Sequence, residues 1–364
     1  MYQVGHPGLK IGWQQWGGFK MSSPDSFLGL RYHEHGAPEE VLRSEISTLG
    51  ACGQGEAIIK MEAATIHPSD VGLINGSYGS LKELPATAGR EGVGIIYSVG
   101  PGVDEKLIGR PVTLSGFAGV WQEFSKEKIE DLIYLPSLVP LDQLSVSVLN
   151  PFTAWRLLND FEYLKPGDFI VQNAGNSAVG ISVIQFAATM GIRCISFVRS
   201  QETKEKLSAF TEEDVFIDQD DAIKHVESTT KGKKCVLALN SVGGKSSLRL
   251  ARCLQDGGVH VTFGAMDGTP VRFPTRNLIF NDIRFVGFWL DRWKEKKTIS
   301  EIRNSLEDVL QPLALNKIKY PIDSVYELKD FKNALARNAK SRFGKVLLVR
   351  EGSDLLNLKD QGDE

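Results

Sequence analysis

The stretch from Asp168 to Arg199 restricts the fold of this chain more than any other. Phe169-Ile170-Val171-Gln172-Asn173 is a short, mostly apolar run that reads as a buried strand. It breaks into Ala174-Gly175-Asn176-Ser177-Ala178-Val179-Gly180, a turn of small residues. Ile181, Ile184, Phe186-Ala187-Ala188 and Met190 then recur at helical intervals up to Gly191, and a second apolar strand runs from Ile192 to Val198. Strand, small-residue turn, helix and strand make one βαβ unit of about thirty residues. Small residues let the backbone approach a diphosphate, and the N–H groups at a helix start can hydrogen-bond it. The strict G-x-G-x-x-G spacing is absent: Gly175 and Gly180 remain, with Ala178 between them. The turn alone is compatible with a purely structural join, and the flanking elements in register favour nucleotide binding.

The end of the second strand selects the cofactor. An NAD site usually carries an acidic residue there, which grips the ribose 2′-hydroxyl. Val198-Arg199-Ser200-Gln201 offers a cation and two neutral hydrogen-bonding side chains, and Glu202 comes one step late. A guanidinium and a hydroxyl suit a 2′-phosphate through charge-assisted hydrogen bonds. NADPH is therefore the expected cofactor; a solvated arginine at a strand end is the competing reading.

A chain of 364 residues has room for two domains. A net charge of −3 leaves no basic footprint for nucleic acid. No uninterrupted apolar run approaches the roughly 18 residues of a membrane span. Cys52, Cys194, Cys235 and Cys253 lie far apart with no C-x-x-C pair, which reads as reduced thiols in an intracellular compartment.

Residues 1–25 differ from the rest. They hold five glycines, no acidic residue before Asp25, and Lys10 and Lys20 as the only Lys or Arg. An organelle presequence and an unstructured leader are both compatible with this; the lack of arginine argues against the first. From Phe27 to about residue 142, short strands punctuated by glycine and proline predict an irregular β lobe with few helices. From Asp168, strands at 169–173, 192–198, 215–218, 235–240 and 259–263 alternate with helices at 179–190, 202–210 and 245–255. That pattern predicts a doubly wound parallel sheet, an α/β fold. A helix from Ile299 to Gln311, a closing strand from Gly344 to Val349 and an acidic, mobile tail after Glu351 complete the reading.

A β lobe, a nucleotide-binding α/β domain and a return segment resemble the medium-chain dehydrogenase/reductase superfamily. Within it the chain is similar to the zinc-free mitochondrial trans-2-enoyl-thioester reductases, from about Phe27 to Val349. The local matches are His67-Pro68-Ser69-Asp70, Asn150-Pro151-Phe152-Thr153-Ala154, the stretch from Gln172 to Gly180, Leu239-Asn240-Ser241-Val242-Gly243-Gly244 and Gly287-Phe288-Trp289-Leu290. The resemblance implies a GroES-like lobe at 26–150, a Rossmann domain at 151–310, a return segment at 311–350 and a tail at 351–364. It argues against zinc, because the catalytic-zinc branch has Gly-His-Glu where this chain has Gly89-Arg90-Glu91, and because four closely spaced structural cysteines are lacking.

The resemblance further implies that Tyr78 supplies the proton. A tyrosine among Gly76, Ser77 and Gly79 is not packed by its sequence neighbours, and its phenol can bond a thioester oxygen. A loop aromatic covering the core is the alternative. Carried over by position, Asn150 would contact the nicotinamide side or the tyrosine. Asn176, Ser177, Ala178 and Val179 would hold the diphosphate, and Arg199, Ser200 and Gln201 the 2′-phosphate. Phe263, Gly264, Ala265 and Met266, with Phe288, Trp289 and Leu290, would line the nicotinamide and acyl pocket. Lys345 matches a cofactor-contacting lysine, with a surface lysine as the other reading. This chain departs from the family at His67, where asparagine is usual, and at Ser77 and Gly79. His67 is either a second acid/base group or structural.

The expected activity is NADPH-dependent reduction of the 2,3-double bond of an enoyl thioester on acyl carrier protein or coenzyme A, in mitochondria, with the cytoplasm as the alternative. A homodimer is expected, with the apolar run from Ile283 to Leu290 at its edge. The rival readings are a zinc-free quinone or enone reductase and a non-catalytic NADPH-binding protein.

Overall fold

The structure, a computed structural model, describes residues 26–114 and 119–361. The leader expected at residues 1–25 lies outside them.

Two sheets carry the two lobes. In the nucleotide lobe six parallel strands lie in the order Val215–Ile217, Arg193–Val198, Phe169–Gln172, Cys235–Asn240, Leu254–Thr262 and Arg284–Gly287. The chain winds outward from Phe169–Gln172 to one edge, then returns to build the other half from Cys235–Asn240. That reversal, outside the carboxyl ends of the strands, is where open sheets of this kind bind ligands. The apolar runs arise because helices cover both faces: Ile170, Val171, Ile195, Phe197, Leu237 and Leu239 are all fully buried. The helix Ala178–Thr189 buries Ile181, Val183, Ile184, Phe186 and Ala187 against the sheet.

In the other lobe, Glu56–Thr65 is the central strand. It pairs antiparallel with Gly92–Val99, with Phe124–Lys128 and with Lys345–Val349. Ile322–Glu327 lies parallel to Lys345–Val349 at the edge. The last part of the chain thus crosses back and completes the first lobe's sheet. A smaller sheet of Arg43–Ser47, Phe27–Tyr32 and Ala86–Thr87 flanks it.

Three departures from the sequence reading have plain causes. Pro68–Asn75 is a helix inside a lobe expected to be nearly all β. Its start is well signalled: Pro68 has the φ of a first helical residue, and Asp70 reaches back to the His67 N–H in a capping box. Ala222–Thr229 is a further unexpected helix, whose inward stripe is only Ala222 and Val226. The acidic tail, expected to be mobile, instead forms a 3-10 helix over Asp354–Gln361, with Leu355, Leu356 and Leu358 packed on the main core. Three leucines outweighed the acidic composition. Among the described residues no helix is long and apolar enough to cross a membrane.

Candidate active site

The turn between Gln172 and the helix Ala178–Thr189 is built by close approach. Ala174 sits at φ 48°. A Cβ on Gly175 would come within 2.5 Å of the Ser196 Cβ, and one on Gly180 within 2.6 Å of the Gly175 carbonyl oxygen. Ser177 caps the helix by accepting the Gly180 N–H at 3.1 Å. The buried Gln172 amide donates to the Gly180 carbonyl and to Ser196 Oγ, both at 3.0 Å, tying turn to neighbouring strand. On the other flank Asn173 donates to Asn240 Oδ1 and Ser246 Oγ, each at 2.8 Å, and accepts the Ser241 N–H at 2.8 Å. A helix start whose first N–H groups lack intrahelical acceptors, on a turn with no room for a Cβ at Gly175 or Gly180, is a cradle that fits a diphosphate.

Of the expected 2′-phosphate residues, Arg199 lies exposed at the carboxyl end of its strand. Ser200 caps the next helix, accepting the Thr203 N–H at 3.2 Å, and Gln201 bonds Glu205 at 2.8 Å. Among the described residues Arg199 is therefore the one of the three whose side chain is not engaged in a structural hydrogen bond.

Across the crevice, Lys345 is buried rather than solvated. Its ammonium lies 2.9 Å from His67 Nδ1 and donates to the Ile66 carbonyl at 3.2 Å. The Asn150 side-chain nitrogen lies 3.3 Å from the same His67 Nδ1. Both neighbours are donors, so Nδ1 is the acceptor and Nε2 carries the proton, given to Glu91 Oε2 at 2.7 Å. Glu91 Oε1 in turn accepts the backbone N–H groups of Val148 and Leu149 at 2.7 and 2.5 Å.

The charges follow this wiring. Burial and then the Lys345 ammonium hold His67 down at about 4, against the pull of Glu91. Burial brings Lys345 to about 8, opposed by Glu91. Burial alone would raise the Glu91 carboxyl, but His67 and the backbone donors prevail and keep it below its ordinary value. Asp70 is pushed up to about 6 by burial, against the His67 N–H. His67 is thus a neutral, tautomer-fixed acceptor at pH 7, which suits a structural role better than acid catalysis.

Tyr78 stands where the lobes meet. Its hydroxyl oxygen accepts from Arg90 Nη1 and from Trp289 Nε1, both at 2.9 Å, and donates to Asp291 Oδ2 at 3.2 Å. Arg90 Nη2 donates to Asp291 Oδ1 at 2.5 Å, closing the network. The Trp289 ring meets Tyr78 edge to face at 5.8 Å, and the Arg90 guanidinium lies 5.0 Å from the Tyr78 ring centre. Burial raises the phenol above its ordinary value; Arg90 acts against that shift and Asp291 with it. A Cβ on Gly79 would lie 3.1 Å from the Trp289 ring, so glycine there admits the indole.

The structure brings Tyr78 together with Trp289, and Asn150 with His67 and Lys345. It does not bring every pocket residue inward. Leu290 is buried in the main core, Phe288 packs edge to face on Phe161 at 5.7 Å, and Ala265 and Met266 are exposed. Phe263 and Gly264 are half-buried on the loop after Leu254–Thr262. Arg90, Glu91 and Asp291 were missed as site residues. The sequence marks Arg90 only as an arginine in a zinc ligand's place, and nothing in it links Arg90 to Asp291, 201 residues away. Among the described residues no cluster of three or more His, Cys, Asp or Glu could hold a metal ion.

A nucleotide cradle on a six-stranded parallel sheet, facing a β lobe across a cleft, defines a nicotinamide-nucleotide oxidoreductase of the medium-chain dehydrogenase/reductase class. Models for the alcohol dehydrogenase GroES-like domain and the zinc-binding dehydrogenase match residues 53–136 and 178–307. The chain belongs to the mitochondrial enoyl-[acyl-carrier-protein] reductase family. The Homo sapiens enzyme of that name is 36% identical over 325 residues, spanning 88% of this chain and 87% of that protein. Among solved structures, Etr1p in complex with NADP and crotonyl-CoA is similar at a TM-score of 0.81 and 25% identity, covering 89% of this chain and 99% of that one. A mycobacterial quinone oxidoreductase is similar at a TM-score of 0.75 and 25% identity, with the same coverage.

Proposed function

We propose that this chain reduces the 2,3-double bond of trans-2-enoyl thioesters, carried on acyl carrier protein or coenzyme A, in the mitochondrion. The observation that carries the reading is the Tyr78 hydroxyl held between the lobes, with two donors behind it and one proton to give. NADPH, when bound, supplies the hydride. The turn from Ala174 to Gly180 would hold its diphosphate, with Asn176, Ser177, Ala178 and Val179 at the helix start, and Arg199 its 2′-phosphate. Asn150 and Lys345 would face the nicotinamide half, both oriented by His67.

Hydride addition at the β-carbon of the substrate leaves negative charge on the thioester oxygen as an enolate. Tyr78 would hydrogen-bond that oxygen, and donors aimed there count most in the transition state. Its proton then goes to the α-carbon, directly or through water. Trp289, edge-on to the phenol, keeps the ring in place while the proton leaves.

Two copies are expected to pair through the edge strand Arg284–Gly287. Ile279, Phe280 and Phe273 stand 66%, 69% and 49% exposed close to it in sequence, an apolar surface of the kind that marks an interface. A monomer by light scattering at micromolar concentration would refute the pairing.

The test is NADPH oxidation across a chain-length series of enoyl thioesters, against a small quinone. Tyr78→Phe keeps the ring and removes the hydroxyl, and should lower kcat at least about a hundredfold with NADPH binding nearly intact. A variant within about threefold of the parent would sink the mechanism. Quinone turnover with no enoyl thioester turnover would make the chain a quinone reductase, and cofactor binding with no turnover a non-catalytic binder.

A further inference from the structure

A phenol oxygen has two lone pairs and one hydrogen. In this protein all three are used: Arg90 and Trp289 donate to the oxygen, and the hydrogen faces Asp291. Only the hydrogen can be released to a substrate without dismantling the site. Once it leaves, the oxygen carries a negative charge with a guanidinium and an indole N–H still at 2.9 Å. Arg90 and Asp291 side chains are only 8% and 10% exposed, so solvent screens these charges weakly.

We propose that Arg90, braced by Asp291, is a further positioning residue of the reduction, whose guanidinium holds the phenolate that Tyr78 becomes. This rests on Tyr78 being the proton donor. The step balances without another reactant. The Tyr78 O–H bond breaks, its electron pair stays on Oη, and its proton bonds the α-carbon through the electron pair of the enolate. Water then returns a proton to Oη. Asp291 has the opposite influence on the phenol: its carboxylate accepts the resting proton and disfavours the phenolate, while its other oxygen fixes the guanidinium in place. The pair thus keeps Tyr78 protonated at rest and stabilises it once deprotonated.

Opposite influences give opposite signs. Other charges bear on the pair: Asp70 and Lys82 from the same lobe as Arg90, and Lys294 from the helix that carries Asp291. None of them is altered by the variants below. With a fluorinated tyrosine at position 78, whose phenol ionises in a range the fold tolerates, its absorbance can be titrated directly, without cofactor or substrate. Arg90→Gln should move that ionisation up by about one pH unit or more, and Asp291→Asn should move it down. In the natural side-chain background Arg90→Gln should lower kcat about a hundredfold with the KM for NADPH little changed. Arg90→Lys, which keeps the charge but loses the fork, should fall between.

Added to Tyr78→Phe, Arg90→Gln should cost little more, because its effect passes through the hydroxyl. If Tyr78→Phe is itself nearly silent, the proton-donor reading fails. If Tyr78→Phe is crippled while Arg90→Gln changes neither rate nor phenol ionisation, only the present inference fails. The same holds if both variants shift the ionisation in one direction, the mark of a pair that merely packs the cleft.

Discussion

The two walls of the cleft are built on different principles. The nucleotide wall is shaped by absent side chains: Gly175 and Gly180 have no room for a Cβ, and the proposed ligand contacts there are backbone N–H groups, the small residues of the turn and the exposed Arg199. The opposite wall is made of buried ionisable groups, the charged Glu91 and Lys345 joined through the neutral His67, all 4% exposed or less. The first wall is specified by shape and tolerates no added atom. The second is specified by partners and tolerates no lost one. A buried charge is costly when its partner goes, so the second wall is the more fragile.

Glu91→Ala should expose that fragility most. It orphans the Val148 and Leu149 N–H groups and the His67 proton together, and should cost about 3–5 kcal/mol in chemical unfolding. A loss below about 1 kcal/mol would place the wall's strength elsewhere. On the opposite wall, Arg199→Ala should weaken NADPH by about 1.5–3 kcal/mol and leave NADH almost untouched, read by fluorescence titration. Equal loss for both cofactors would show that Arg199 does not meet a 2′-phosphate. Gly180→Ala should cost about 1–3 kcal/mol of stability by overpacking against the Gly175 carbonyl, and should weaken both cofactors alike.

The smallest effect concerns pH. His67 is neutral in the fold down to about 4 but titrates near its ordinary 6.5 when unfolded. Between those values the unfolded chain binds more protons, so acid favours unfolding through this group. His67→Asn removes that term. The stability of the parent relative to the variant should therefore decline as pH falls from about 6.5 to 4. Asp70, pushed up to about 6, works the other way in both proteins and cancels from the difference. A gap that stays flat across that window would mean His67 is charged in the fold.

The walls also differed in how far they could be read from sequence. The shape-built wall is local: strand, turn and helix follow one another from Phe169 to Thr189, and apolar periodicity with small residues marks them. The charge-built wall is assembled from residues far apart, and a lone Glu91 or Asp291 looks like any surface carboxylate until the fold supplies its partner. Tyr78 was legible only because glycines isolate it and a resemblance assigned it a role. The helix Pro68–Asn75 carried proper signals, Pro68 and Asp70, but eight residues were too few for periodicity to show.

The return segment has a consequence for how the protein is made. The central strand Glu56–Thr65 has Gly92–Val99 along one edge and Phe124–Lys128 along the first half of the other, but on that second edge the partner for its Ala63–Thr65 end is Lys345–Val349. Lys345 reaches His67 across 278 residues of chain. While a ribosome is still adding the nucleotide lobe, that end of the sheet is an unpaired edge and His67 lacks one of its donors. An open edge next to buried-type residues is where one nascent chain can zip onto another. Assembly of the first lobe therefore waits on the last strand, and nascent chains that stall before residue 345 should be the ones that aggregate.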